Sequence, residues 1–170
     1  MKKFISFILL AALGATAFAH EGTRVGIVDA DLVIQDSAKG KAFFAEYENI
    51  IKAKQTEIKA KRDELVEKQK DAQAKAASLS DDKKIELGRE LERMQTDLKR
   101  MREDAERETQ GVLNARLDEF RKELAPLIRQ VAQDKNLDMV LNYGPNSNLV
   151  YFSDAVNITA DVIKKYDEMQ

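Results

Sequence analysis

The chain has 170 residues, carries a formal net charge of −2, and contains no cysteine, no tryptophan and a single histidine. One domain of ordinary size fits that length. Without thiols, disulfides and thiolate-held zinc are excluded, so stability must come from packing or from assembly.

The first nineteen residues read as an export signal. Met1-Lys2-Lys3 is a basic start, and Phe4 to Ala12 is an apolar run too short to anchor in a bilayer. Ala17-Phe18-Ala19 then offers small residues for cleavage before His20. The expected location is the periplasm, and with no cysteine to acylate, a lipoprotein is not expected.

Arg24 to Asp29 is a short apolar run rich in β-branched residues, which predicts a strand. Asp29 or Asp31 is placed to cap a short helix through Leu32, Val33 and Ile34, and Asp36-Ser37 offers the next cap.

The longest signal follows. Phe44, Ile51, Ile58, Leu65, Ala72 and Leu79 recur every seventh residue. After Ser78-Leu79-Ser80-Asp81 a second series, Leu91, Met94, Leu98, Met101, Ala105 and Val112, alternates steps of three and four. Two helices folded back along a seam produce this pattern. Ser80 is the expected cap of the return helix, with Asp81 and Asp82 at the positive end of its dipole. Near Gly111 the phase shifts, to Leu117, Phe120, Leu124, Leu127 and Val131. The outgoing seam is thin, because its second core position holds Tyr47 and then Lys54, Lys61, Lys68 and Lys75. Such an arm is long and weakly cored. Pro126 predicts a kink or a missing hydrogen bond near the end of the return helix.

The remaining segments predict two strands, Leu137–Leu141 and Leu149–Phe152, around a turn-rich loop. A last helix is expected over Thr159–Asp167, packing through Ile158, Val162, Ile163 and Tyr166. The chain thus divides into residues 1–19 (signal), 20–43 (first part of a β/α body), 44–133 (hairpin, turn near 78–82) and 134–170 (second part of the body). A body of about 60 residues with open sheet edges is marginal alone, which argues for an obligate oligomer.

No catalytic constellation is found. His20 lies at the expected new N-terminus, and no histidine or cysteine inside the fold could build a nucleophile–base pair. The glycines form no phosphate loop. Carboxylates lie among lysines and arginines on helix faces, where ion pairing is the default. Asn157-Ile158-Thr159 reads as a helix cap rather than a glycosylation acceptor. Met94 and Met101, at heptad spacing, read as seam residues. No cofactor and no metal are expected, and the basic arms lack the interleaved aromatics of a nucleic-acid binder.

Val25-Gly26-Ile27-Val28-Asp29, Asn136 to Leu141, and above all Val156-Asn157-Ile158-Thr159-Ala160-Asp161-Val162-Ile163-Lys164 resemble the Skp (OmpH-type) family of periplasmic chaperones. The resemblance implies a mainly α fold with a small β body, a long antiparallel helical hairpin projecting from a short-stranded trimerisation body. It implies a homotrimer that encloses unfolded outer-membrane proteins between mobile arms without ATP; that the chain is no enzyme is expected from the missing catalytic residues. The residues expected to hold the trimer are Val25, Ile27, Val140, Leu141, Val150 and Phe152. Between Lys52 and Arg102 bases outnumber acids, whereas both flanks are acidic. Lys75, Lys83 and Lys84 near the tip are therefore the expected electrostatic contacts to cargo. Transient contact with envelope lipid stays open. The competing expectation is a coiled-coil spacer or tether of the cell envelope.

Overall fold

The computed structural model describes residues 22–145 and 147–169. The signal segment Met1–Ala19 and the cleavage point before His20 lie outside the described residues. Strand β1 (Val25–Val28) leads into helix α1 (Ala30–Asp36), long helix α2 (Ala38–Lys75) and longer helix α3 (Asp81–Asp134). Strand β2 (Met139–Asn142), a 3₁₀ turn (Asp154–Val156) and helix α4 (Thr159–Asp167) complete the chain.

The caps follow the local chemistry. Asp29 accepts from the Leu32 amide, Ser37 from Gly40 and Ser80 from Lys83, each satisfying an orphan donor of a first turn. The end of α3 closes on Asn136, whose φ of 53° lies in the left-handed region. There the Leu137 amide donates to Ala132 O and the Asn136 amide to Gln133 O, the paired bonds of a Schellman ending. Helix α3 passes through Pro126 without a break. The bond removed is the one the proline nitrogen cannot donate.

Two differences from the sequence reading stand beside a shift of β2, which runs Met139–Asn142 rather than Leu137–Leu141. Helix α2 begins at Ala38, ahead of Phe44, because Ser37 caps it and Gly40 lets its first turn sit against α1. A Cβ on Gly40 would lie 1.5 Å from the Ile34 carbonyl oxygen. The second difference is a correction: Leu149–Phe152 is not a strand, and β2 pairs instead with β1, in parallel, Val25 opposite Met139 and Val28 opposite Asn142. The reason is a lack of strand partners among the described residues. The other side of β1 is occupied by the bridge from Ile27 to Asn157, where the Ile158 amide donates to Ile27 O. An isolated segment gains nothing by extending without a ladder to join.

The core sits where the roots of α2 and α3 meet α1, α4 and the sheet. Val33, Ile34, Phe43, Phe120, Leu124, Leu127, Val131, Val162 and Tyr166 form one buried cluster. Phe120 stands edge-on to both Phe43 and Tyr166, with ring centroids 5.8 and 6.5 Å apart, within the favoured range for such pairs. The face expected for α4 holds: Ile158, Val162 and Tyr166 are buried and Ile163 packs alongside them. Asn157 does not cap α4 in the usual way. Its side chain accepts from the Thr159 amide at 3.0 Å, a turn just ahead of the helix.

Beyond the body, among the described residues, α2 and α3 have only each other. The heptad residues Ile51, Ile58, Leu65, Ala72 and Leu79 all turn inward, yet among the described residues only Leu65, Leu98 and Ala105 are fully buried along that stretch. Val112 leaves the seam and is exposed; Thr109 and Leu113 take its place. This is the phase shift foreseen near Gly111.

Candidate functional site

Two regions offer themselves for function: the free edge of the body and the hairpin. At the edge, β2 is paired on one side only, and no strand among the described residues covers its other side. Met139 and Leu141 point outward from it. Beyond the strand, Tyr143 stands edge-on to Phe152 with centroids 5.1 Å apart, at the two ends of the following loop. On that loop Val150 is 99% exposed and Tyr151 82% exposed. Fully exposed large apolar residues beside an unpaired strand are costly for a soluble monomer.

The six residues expected to hold a trimer divide on inspection. Ile27 is 3% exposed, its side chain already enclosed within the chain. Val25, Val140 and Phe152 are half-buried, and Leu141 and Val150 are exposed. The sheet brings four of them together, with Ile27 facing Leu141 and Val140 beside Gly26. A Cβ on Gly26 would meet the end of the Leu137 side chain at 2.6 Å and displace it. Tyr151, the neighbour of Val150, was not singled out in the sequence; its position in a run without polar alternation was the available signal.

The seam lysines find unequal partners. Lys54 donates to Glu108 across the arms at 2.6 Å, and Lys68 to Glu90. Lys61 and Lys75 turn back along their own helix to Glu64 and Asp71. The Glu108 carboxylate raises the pKa of Lys54 through a direct hydrogen bond, and Lys54 lowers that of Glu108 in return. Sequence reasoning left Glu90 and Glu108 unnoticed. Their signal was distance from the turn: each lies roughly as far after it as its lysine lies before it.

All three tip lysines are exposed and locally paired: Lys75 with Asp71, Lys83 with Glu86 at 2.9 Å, and Lys84 with Asp81 at 3.2 Å. Exposed pairs of this kind hold weakly, so these cations exchange partners easily.

At the root of the arms a more enclosed polar group appears. Lys39 of α2 donates to both oxygens of Glu123 on α3 at 2.7 Å, and the Tyr166 hydroxyl of α4 donates to the same carboxylate. The Arg116 guanidinium lies 4.7 Å from the Phe120 ring centroid. The hydrogen bond from Lys39, then that from Tyr166, holds the Glu123 carboxyl below its usual range. Burial, then the adjoining carboxylate, pushes the Tyr166 hydroxyl well above its ordinary value of 10.0. Asp167 accepts from the Ala38 amide at 2.9 Å, so α4 also closes the first turn of α2. These contacts fix the angle at which the arms leave the body. Among the described residues no cluster of His, Asp and Glu could hold a metal, and no helix is long and apolar enough to cross a membrane.

Residues 24–166 match the family model for outer membrane proteins of the OmpH-like type. The backbone is similar to the crystal structure of a candidate outer membrane chaperone (OmpH-like) from Caulobacter crescentus CB15, with a TM-score of 0.73. That alignment covers 88% of this chain and 86% of the other at 22% identity, a likeness of fold. No curated protein matches the chain significantly.

Proposed function

The chain belongs to the OmpH-like family, and from that premise we propose that it is a periplasmic chaperone for outer-membrane proteins. In this reading it is an ATP-independent holdase, exported with cleavage before His20, and works as a homotrimer. The bodies join through the free edge of β2 and the exposed Val150-Tyr151 segment, and three hairpins enclose the cargo. An unfolded chain held by many weak contacts is denied to other unfolded chains, and arms with little core of their own adapt to its size. The observation that carries the reading is the combination of a free strand edge with arms that, among the described residues, pack only against each other.

The deciding experiment is suppression of aggregation of an unfolded outer-membrane barrel protein, without nucleotide. A chaperone keeps the barrel protein soluble at stoichiometric amounts. A spacer or tether leaves it to precipitate, and that result would overturn the reading. Sedimentation equilibrium tests assembly: a trimer is expected at micromolar concentration, and Val150→Asp with Leu141→Asp should shift it towards monomer. Reversal of Lys75, Lys83 and Lys84 to Glu should slow capture of an acidic barrel protein, chiefly at low salt, because complementary charge acts mainly on association. Equal capture rates at low salt would make these lysines a solvated face only.

A further inference from the structure

Three clefts open along one side of the hairpin, between α2 and α3. The first, about 500 Å³, lies at the root against Phe43, Glu46 and Ile50. The second, about 340 Å³, continues past Glu57 and Ile58, opposite Asp97 and Met101. The third, about 120 Å³, shares Asp97 and Met101 with the second and ends on Met94 and Leu98. On α2 the contributors Glu46, Ile50, Glu57, Lys61 and Glu64 are spaced by three, four and seven, which keeps them on one side of the helix. The clefts are therefore stations of a single groove.

Its length points to a polymer. From Phe43 to Lys61 the helix rises roughly 27 Å, which an extended chain of about eight residues would span. Its floor is apolar and, at Met94 and Met101, adaptable, since unbranched thioethers repack around different shapes.

Its rim carries more acids than bases. Lys54, Lys61 and Arg116 are neutralised by Glu108, Glu64 and Glu119. Among the described residues, Glu46, Glu57 and Asp97 form no close ion pair, Glu57 and Asp97 acting on Lys54 and Lys61 only through space, and of the lining cations Arg100 alone lacks a close partner. We propose that this groove takes extended apolar segments flanked by basic residues. The inference rests on the chaperone reading and adds to it a charge preference along the arms opposite to that of the tips.

The test uses two fluorescent peptides with one apolar centre, flanked by lysines in one and by glutamates in the other, titrated against the mature chain. The lysine-flanked peptide should bind roughly three- to tenfold more tightly at low salt, the range two or three exposed pairs supply. Glu57→Lys with Asp97→Lys should reverse that order, whereas an unfolded variant would lose both peptides. Glu92→Lys with Glu103→Lys, outside the groove, should keep the parent order. Bound peptide should slow amide exchange in 54–61 and 97–105. Equal affinities, an order changed as much by the outside pair, or protection confined to 75–84 would overturn the groove. Aggregation suppression measured in parallel separates the two failures: suppression without the charge preference sinks only the groove, and the preference without suppression sinks only the chaperone reading.

Discussion

At Phe120, helix α3 carries a side chain enclosed by Phe43, Tyr166 and an arginine plane; at Leu98, on the same helix, the side chain meets only one facing helix across a sparse seam. Nothing in helix propensity separates these positions. What differs is how many elements converge. In the body four helices and a sheet converge on one buried cluster, and at Gly40 glycine is demanded where backbones touch. Along the arm, among the described residues, each helix has one partner, and on α2 lysines occupy the second core position from Lys54 to Lys75. A long helix of one composition can therefore be anchored at one end and compliant at the other.

The largest effect expected from testing that contrast is at Gly40. Gly40→Ala puts a methyl group into the Ile34 carbonyl, and urea denaturation should show a loss of more than about 3 kcal/mol, or no folded protein. A mild effect would mean that the α1–α2 contact is looser than it looks. Next comes a matched pair. Phe120→Ala should cost about 3–5 kcal/mol, and Leu98→Ala about 2, the low end for its type, because an open seam relaxes around the gap. Equal losses would erase the distinction between body and arm.

Smaller effects attach to the charged groups. The folded pKa of Glu123 is depressed, so its contribution is present above the ordinary value of 4.5 and is lost as pH falls below it. Tyr166 is shifted upward, so its contribution is present below 10.0 and is lost as pH rises above that value. Glu123→Gln should flatten the acid side of a stability–pH curve and Tyr166→Phe the alkaline side; unchanged curves would remove the root cluster from the stability of the body. The least effect is expected at Lys68→Ala, below about 1 kcal/mol, since its pair with Glu90 is exposed. It should appear as faster amide exchange near the tip, with the body unchanged.

The sequence made the hairpin legible because seven-residue spacing and the Ser80 cap are local signals. It made the last helix legible because Ile158, Val162 and Tyr166 mark one face. The family and the fold class were likewise readable from the two ends of the chain. The parallel pairing of β1 with β2 was not, because it joins segments whose partners no local pattern names. Leu149–Phe152 misled for the same reason: its composition suits a strand, but a strand exists only beside another. In the seam, the lysines were visible and their glutamates were not, since an ion pair across a hairpin depends on where the turn closes. The root cluster of Lys39, Glu123 and Tyr166 needed three separate elements to be in place before it had any meaning.

The same parallel pairing imposes an order of events on the newborn chain. Arg24 meets Asp138 across a separation of 114 residues, so β1 emerges first and must wait for nearly the whole protein before it has a neighbour. Between them lies a hairpin whose contacts begin at a short turn and zip outward. Loop closure grows costlier with the length of free chain, and compacting the intervening segment shortens it. The arms should thus form early and bring the two termini of the hairpin together, after which sheet and α4 condense. A chain halted before Met139 would present a formed arm and an unpaired, apolar β1, the kind of intermediate that aggregates.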